Sequence, residues 1–471
     1  MPAQEEAPLL EALKSHIKAR RVPFHVPAHL GRPLPGFAGL ETRGLFSLDV
    51  TELPGLDDLH CPTGPLFEAQ ELAAELFGAI STFFLVNGVT AGVLAAHLYY
   101  GGKGKKILLP RDAHRSHYSG LILAGSTPVY LPALWQEGIP VNVQAKDLEV
   151  ALAEHPDAAA VFVTSPGYHG ACADLALIRE LTGSRGIPLV VDEAHGTYLS
   201  LSPKFPTGAG EVGADMWLQS THKTGGALTQ GGMLHGGLQV DPARLRFFLG
   251  LLETSSPSYP IMASLDEARR FLALEGRKRA EEAADLSYGL RSDLEANSPW
   301  QVLAFPSFAA DPLKLVLRAG GSGPEALEAL RRRGVEPELA GFKHVLFLIS
   351  LFHTPKDIAF LRDTLVKLKP EGGHEEGFGT PNFLQVPPPL PRQVLLPAQA
   401  AACTSRAVPL EEALGRVAAE MVVPSPPGIP LLVPGEEIGP GVLNLLTQLR
   451  RAGLKCQLAD PALNTLKVLE K

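Results

Sequence analysis

Two neighbouring segments of this 471-residue chain carry the side chains best suited to covalent chemistry. The first is the apolar run 189–191, which is followed by Asp192. The second is the run 216–219, which is followed by the residues STHK, the last of which is Lys223. A carboxylate at the end of a buried strand is costly unless it has a partner. Strand ends are also where α/β folds bind ligands. A lysine flanked by hydroxyls and glycines at such an end is suited to hold an aldehyde and a phosphate.

These residue types meet the requirements of pyridoxal phosphate chemistry. Lys223 would form a Schiff base with the cofactor aldehyde, because a lysine amine becomes nucleophilic when its surroundings favour deprotonation. Asp192 would pair with the pyridine nitrogen and keep the ring an electron acceptor. Ser220 and His222 would lie at the phosphate, with the alternative that His222 faces the substrate. The pattern therefore predicts a cofactor held on Lys223.

Two further strand ends would complete the site. Gly88, Val89 and Thr90 follow the apolar run STFFLVN and open a helix, whose free N–H groups would cradle a phosphate. His114 follows the run KILLP and would stack on the cofactor ring. Each of these residues taken alone is more often structural. The prediction therefore rests on their serial order, in which a glycine turn, a histidine, an aspartate and a lysine each follow a strand.

The hydrophobic pattern predicts the elements that must position these residues. Between residues 67 and 275, short apolar runs alternate with helical spacing, which is typical of a doubly wound α/β domain that binds the cofactor. Residues 1–66 are predicted to form an N-terminal helix and an extended arm. A smaller α+β domain is expected over 276–370, a linker over 371–390 and a C-terminal domain over 391–471.

Composition narrows the class of protein. The net charge of −8 argues against nucleic acid or an anionic membrane as a partner and suits a cationic small substrate. The four cysteines have no metal-type or redox-type spacing, so no metal is expected. We see neither a run long enough to span a bilayer nor a secretory signal, and we expect a cytoplasmic protein.

With these motifs in order, the chain resembles the ornithine/lysine/arginine decarboxylases of the aspartate-aminotransferase fold (fold type I), in their shorter bacterial form. The likeness covers nearly the whole chain and includes His25–His29, Asp49–Glu52, Gly55–His60, FFLVNGVTAG, LLPRDAHRSH, VDEAHG, STHKT, TSSPSY and PPGIPLLVPGE. It implies a large domain with a mostly parallel seven-stranded sheet and a pyridoxal phosphate cofactor. It also implies a homodimer or larger homo-oligomer whose subunits share each active site.

The resemblance also implies roles for single residues. Lys223, Asp192, His114, Ala194 and His195 would bind the cofactor, and Ser220, Thr90 and the turn at Gly88 would hold its phosphate. Ser255 or Ser256 would reach the partner's phosphate, the N-terminal arm would cross the interface, and Glu436 would approach the distal cation of the substrate. The chain departs from its relatives at Leu30, Val89 and Ser425, and Val89 removes one phosphate hydroxyl.

The function expected from the resemblance is decarboxylation of a basic amino acid, favouring arginine to agmatine in polyamine biosynthesis. Glu52, Asp57, Asp58 and Glu436 are the candidates for binding the distal cation, with a turn or helix cap as the alternative for Asp57 and Asp58. Lys223 or His222 would return a proton to Cα. Lysine or ornithine decarboxylation, an aminotransferase or acyl-transfer synthase of the same fold, and a non-catalytic regulatory paralogue remain alternatives.

Overall fold

The computed structural model describes residues 3–18, 43–368, 390–424, 428–451 and 455–470. The chain divides into two compact units, of which the first comprises residues 1–99, 190–203 and 207–280, and the second comprises residues 100–189, 204–206 and 281–471. Within the described ranges, no helix has both the length and the apolar character needed to cross a membrane.

Fifteen α-helices are present in the described ranges. In chain order they are α1 (Pro8–Lys18), α2 (Arg43–Leu48), α3 (Pro65–Phe77), α4 (Gly88–Tyr100), α5 (Arg115–Ala124), α6 (Ala145–Glu154), α7 (Leu175–Gly183), α8 (Thr221–Thr224), α9 (Pro242–Gly250), α10 (Tyr259–Phe271), α11 (Arg277–Asn297), α12 (Gly323–Arg331), α13 (Pro355–Lys367), α14 (Pro397–Ala401) and α15 (Pro440–Arg451). A π-helical turn, Leu272–Gly276, joins α10 to α11.

The strands follow the apolar runs seen in the sequence. In chain order they are β1 (Ser81–Leu85), β2 (Lys106–Pro110), β3 (Thr127–Leu131), β4 (Ala133–Gln136), β5 (Ile139–Val143), β6 (Ala160–Thr164), β7 (Ala171–Cys172), β8 (Leu189–Asp192), β9 (Met216–Gln219), β10 (Gly232–Gly236), β11 (Gln301–Val302), β12 (Ala309–Ala310), β13 (Lys314–Arg318), β14 (Leu339–Ala340), β15 (His344–Leu348), β16 (Ser405–Pro409), β17 (Val423–Pro424), β18 (Cys456–Gln457) and β19 (Thr465–Leu469).

Seven strands form one mixed sheet in the order β1-β10-β9-β8-β6-β2-β3. In the first unit, β8 and β9 run parallel, whereas β10 is antiparallel to both of its neighbours, β1 and β9. In the second unit, β2 runs parallel to β3 and to β6. The expected seven-stranded sheet is therefore confirmed, and β10 accounts for its antiparallel pairs. All of these strands except β3 are buried over nearly their whole length, as is usual for a sheet with both faces covered.

Helix α1 packs within its own subunit. Its apolar side chains Leu9 and Leu13 are fully buried, and α1 contacts α3 and α10. Asp266 in α10 accepts hydrogen bonds from the amides of Leu9 and Leu10, and it pairs with the buried Arg269 at 2.6 Å. The expectation that the N-terminal arm crosses the interface stays a prediction. Residues 19–42, which include His25–His29 and Leu30, lie outside the described residues.

The second unit also contains the smaller sheet and the C-terminal layer. Strands β11, β13, β15 and β14 form an antiparallel sheet, and helix α12 contacts its strands β14 and β15. Toward the C-terminus, β16 pairs with β19 and β17 with β18, around a core that includes Leu432, Leu446 and Val468. The expected fold class is confirmed, while the domain boundaries stay predictions. Of the predicted linker, all but residue 390 lies outside the described residues.

Candidate active site

Lys223 projects from the short helix α8, directly after strand β9. Its Nζ atom lies 3.1 Å from Nε2 of His195, and its amide donates to the carbonyl of Ser220. Lys223 is exposed to solvent, whereas His195 is buried. Burial fixes the imidazole in place, so the more accessible amine has a defined neighbour. The sequence pattern placed both residues at strand ends but did not predict this contact.

Asp192 ends β8, beside the strand that carries Lys223. Its Oδ1 atom accepts a hydrogen bond from the amide of Ala194 at 3.1 Å, and the residue is buried. Asp192 pairs in register with Leu218 of β9, so it lies at the same edge of the sheet as Ser220. Because parallel strands end at one edge, the aspartate and the lysine segment meet there as predicted.

A buried polar chain supports the segment that begins at Asp192. Glu193 accepts hydrogen bonds from Ala209 N at 2.8 Å and from Gln219 Nε2 at 2.7 Å. Gln219 Oε1 in turn lies 3.3 Å from His235 Nε2, and His235 Nδ1 lies 2.8 Å from Thr82 Oγ1. Burial raises the pKa of Glu193 to about 7 and lowers that of His235 to about 3. Sequence reasoning missed this chain because its members come from four separate segments.

The His222 side chain is held by the backbone of Gly231. Its Nδ1 atom lies 2.9 Å from the carbonyl oxygen of Gly231, so Nδ1 carries the proton and donates to that oxygen. Burial lowers the pKa of His222, and the backbone hydrogen bond opposes this only in part. The imidazole is therefore neutral near pH 7, with its proton committed to Gly231. Ser220, the residue before α8, is buried.

The predicted phosphate turn lies at the start of α4. Gly88 has φ +77°, a left-handed conformation that favours glycine, and it is the first residue of the helix. Thr90 is exposed, whereas Val89 is buried. A Cβ atom at Gly232 would lie 2.7 Å from Cγ2 of Val89, so the valine fills the space above that glycine. Packing against Gly232 thus accounts for an apolar side chain at position 89.

These groups fit a pyridoxal phosphate cofactor by the chemistry of their donors. At one edge of the first unit's sheet, the fold presents an amine at Lys223, a carboxylate at Asp192 and the N-terminal amides of α4. An amine suits the aldehyde, a carboxylate suits the protonated ring nitrogen, and helix amides suit the phosphate. Their individual roles stay predictions.

His114 belongs to the second unit and caps helix α5. Its Nδ1 atom accepts from the amide of Ser116 and lies 2.9 Å from Ser116 Oγ. The amide of Arg115 donates to the carbonyl of Gly428 at 3.0 Å, and a Cβ atom at Gly428 would lie 3.1 Å from His114 Cδ2. The C-terminal segment therefore fixes the His114 side chain. Ser425 lies outside the described residues.

Glu436 forms a buried ion pair with Arg111. It is 1% exposed, pairs with Arg111 Nη2 at 3.1 Å and accepts from Val433 N at 2.9 Å. Arg111 also donates to the carbonyls of Pro430 and Leu431. Both Glu436 oxygens accept hydrogen bonds within the subunit, and the expected approach of this residue to the distal cation stays a prediction. A guanidinium in the same unit already neutralises it.

The three remaining acidic candidates lie in the first unit, and the structure separates them. Both oxygens of Asp57 accept backbone amides, five in all, from residues 58, 63, 64, 66 and 67. The structure thus gives Asp57 the capping role, at the start of α3. Glu52 accepts from the hydroxyl of Thr51, and Asp58 accepts from the amide of His60. Burial raises the pKa of Tyr259, and Glu52, Asp58 and Asp57 raise it further, so all three carboxylates act on one phenol.

Ser255 and Ser256 lie in the loop between α9 and α10. Both are exposed, and the amide of Ser256 donates to Thr254 Oγ1 at 3.3 Å. The carbonyl of Thr254 lies 2.9 Å from Nε2 of His60. Exposure is compatible with the predicted reach to a partner subunit, and this role stays a prediction.

Comparison with known proteins assigns the class. The chain matches the family model described as Orn/Lys/Arg decarboxylase, major domain, over residues 7–308, and the corresponding C-terminal domain over 382–456. Its fold is that of pyridoxal-phosphate enzymes of fold type I. The lysine decarboxylase A structure from Pseudomonas aeruginosa superposes with a TM-score of 0.83 at 24% sequence identity, covering 98% of this chain and 80% of that one.

Two curated relatives extend over the full length. An arginine decarboxylase of Halalkalibacterium halodurans is 35% identical over 491 residues, covering 100% of this chain and 99% of that protein. An arginine decarboxylase of Bacillus subtilis is 33% identical over 486 residues, covering 100% of this chain and 99% of that protein. The chain therefore belongs to the Orn/Lys/Arg decarboxylase family. The family, the enzyme class and the pyridoxal phosphate cofactor expected from the sequence are confirmed.

Proposed function

We propose that the protein decarboxylates L-arginine to agmatine, with pyridoxal phosphate held on Lys223. The observation that carries the proposal is the amine of Lys223 next to His195, at the sheet edge where Asp192 ends a strand. Both full-length relatives described above are named arginine decarboxylases. The proposed reaction yields agmatine and CO2, and it serves polyamine biosynthesis.

Within this proposal, each residue has a task that follows from its surroundings. Bound pyridoxal phosphate supplies an electron sink for the pair that remains on Cα when CO2 leaves. Asp192 would hold a proton on the ring nitrogen of the bound cofactor, and the amides at Gly88 would orient its phosphate. Lys223 is the better proton donor to Cα, because His222 is neutral and its Nδ1 proton is donated to Gly231.

The acidic patch formed by Glu52, Asp57 and Asp58 supports a cationic substrate. All three carboxylates raise the pKa of Tyr259, so their fields add at one place in the first unit. Asp57 is occupied by backbone amides, which leaves Glu52 and Asp58 as the proposed contacts for the guanidinium. A carboxylate binds a guanidinium in bidentate fashion, whereas an ammonium forms a point contact.

The proposed holoenzyme is a homodimer or larger homo-oligomer. Ser255 and Ser256 are exposed in a single chain and would contribute to the partner's phosphate site. Cytoplasmic localisation is part of the same proposal, since the substrate and cofactor are supplied there.

A panel of arginine, lysine and ornithine, scored for CO2 release and keto-acid formation, tests the proposed function. We expect CO2 release to be fastest with arginine and keto acid to be absent. Lys223→Ala should lose activity by at least about 10⁴-fold, since a covalent step is removed. Lys204→Ala is the matched control, because Lys204 forms an exposed pair with Asp285.

Borohydride reduction of the wild-type holoenzyme should fix the cofactor on the peptide that contains Lys223, as read by mass spectrometry. Faster release of CO2 from lysine or ornithine would contradict the substrate assignment alone. Keto-acid formation would favour an aminotransferase. A colourless protein without a reducible link to Lys223 would favour the non-catalytic regulator and refute the proposal.

A further inference from the structure

Glu253 binds the backbone that leads into helix α4. Its Oε2 atom accepts hydrogen bonds from the amides of Val86 at 3.3 Å and Asn87 at 3.0 Å. The side-chain amide of Asn87 donates to the carbonyl of Leu252 at 3.0 Å. Residues 252–253 therefore hold both the backbone and the side chain of the last residues before Gly88.

This carboxyl is buried at a cost. Glu253 is 8% exposed, and its Oε1 atom is buried without a hydrogen-bond partner among the described residues. Burial raises its pKa to about 7, while the two backbone hydrogen bonds and His60 act in the opposite direction. A buried oxygen without a hydrogen-bond partner lowers the stability of the fold, which calls for a functional reason to keep a carboxyl here. The geometry that Glu253 imposes on the neighbouring backbone supplies such a reason.

The backbone amides around Gly88 fall into two groups, those that Glu253 binds and those at the start of helix α4. Glu253 engages the amides of Val86 and Asn87, which precede the helix. The following amides, of Gly88, Val89 and Thr90, are at the helix N-terminus, where no acceptor exists within the helix itself. With the chain anchored on one side, the left-handed turn at Gly88 aims these amides as a set.

We propose that Glu253 is a positioning residue for the phosphate of the cofactor, acting through the turn that it anchors. This rests on the proposed function, in which the amides at Gly88 hold that phosphate. Glu253 does not touch the phosphate, and its effect is on the orientation of the donors. A carboxyl that merely stabilised the fold would affect every ligand of the site alike, so phosphate selectivity is the distinguishing property.

The test compares pyridoxal phosphate with pyridoxal, which lacks the phosphate. Both are titrated spectroscopically into the full-length protein after its cofactor has been removed. The readout is the dissociation constant of pyridoxal divided by that of pyridoxal phosphate. We expect Glu253→Ala to weaken pyridoxal phosphate about tenfold more than pyridoxal, since misaligned amides lose charge-assisted hydrogen bonds. In Glu253→Gln the ratio should stay within about threefold of wild type, because the glutamine side-chain oxygen still accepts both hydrogen bonds.

Asp241→Ala is the matched control. Asp241 caps α9, accepts from Ala243 N at 2.9 Å and precedes the same segment, so its loss destabilises α9 without touching the turn. Its ratio should equal that of wild type. If Glu253→Ala does not fold, Glu253→Asp supplies the test, because a carboxyl shorter by one methylene cannot reach both amides in the same geometry and should lower the ratio.

Equal weakening of both ligands by the Glu253 variants, or no weakening, would overturn the positioning role while leaving the proposed function intact. A wild-type protein that binds pyridoxal as tightly as pyridoxal phosphate would remove the phosphate role of the turn, and with it this inference. A wild-type protein with normal selectivity but no reducible link to Lys223 would instead count against the proposed function.

Discussion

Two buried glutamates each accept hydrogen bonds from backbone amides, but in different electrostatic surroundings. Glu253, in the first unit, accepts two amides after β1 and leaves one oxygen without a partner among the described residues. Glu436, in the second unit, has both oxygens on Arg111 and one of them also on Val433 N. Burial raises the pKa of both carboxyls; the Arg111 guanidinium opposes this at Glu436, whereas two backbone amides and His60 oppose it at Glu253. Glu253, which has one buried oxygen without a hydrogen-bond partner among the described residues, is the one next to the proposed phosphate turn.

The largest effect should come from breaking the ion pair of the second unit. Glu436→Ala leaves the Arg111 guanidinium buried and uncompensated, so the free energy of unfolding should fall by about 3–5 kcal/mol, as measured by urea denaturation. The double variant Arg111→Met/Glu436→Leu should recover much of that loss, because neither charge remains.

The exposed pair of Lys106 with Asp157 supplies the control for this ion pair. Their side chains are 33% and 63% exposed, so Asp157→Ala should cost less than about 1 kcal/mol. If Glu436→Ala costs no more than Asp157→Ala, the Arg111–Glu436 pair is not part of the framework and the comparison fails.

An intermediate effect should appear in the pH dependence of stability. Burial raises the pKa of Glu253 from 4.5 to about 7, so the folded protein keeps the proton longer than the unfolded chain. The stabilisation is complete below pH 4.5 and is lost as pH rises through about 7, since the ionised carboxyl is costly to bury. The shift corresponds to roughly 3 kcal/mol.

Glu253→Gln should therefore remove about that much of the decrease in unfolding free energy between pH 4.5 and 7. Burial raises the pKa of Glu193 to about 7 as well, but Glu193 is present in wild type and variant, so its contribution cancels in the difference. Parallel pH profiles for the two proteins would show that Glu253 is not a buried titrating group.

The smallest effect concerns the glycine that contacts His114. Gly428 has φ +84°, and a Cβ atom there would lie 3.1 Å from His114 Cδ2. Gly428→Ala should lower the free energy of unfolding by about 1–2 kcal/mol through backbone strain and should also displace His114. Gly415→Ala is the matched control, because Gly415 has φ +71° with nothing within 4 Å of the added carbon. Equal behaviour of the two variants in cofactor absorbance would show that the contact with His114 has no effect.

Much of the fold could be read from the sequence because the signal is local. The runs STFFL, KILLP and LVVD form β1, β2 and β8. Hydrophobic periodicity and residue composition are properties of a single segment, so they predict a strand without knowledge of the rest of the chain. The antiparallel direction of β10 could not be read in this way, because strand direction depends on connections that lie far apart in sequence.

In the candidate site, too, some features follow from local sequence and others depend on residues far apart in the chain. Asp192 is the last residue of a strand, and Gly88 and Lys223 lie shortly after strands, so the strand order brings all three to one edge of the sheet. The roles of acidic residues could not be assigned in this way. Asp57 became a cap and Glu436 an ion-pair partner because donors from residues 63–67 and from Arg111 reach them.

The sequence by itself determined the order of the strands and helices, the chemical groups at their ends and the family. Only the tertiary structure decided which carboxylates are neutralised and which stay unpaired, as with Glu436 and Glu253. The physical reason is that a carboxyl's pKa and hydrogen bonds depend on burial and on donors within a few ångströms, and these come from segments distant in sequence.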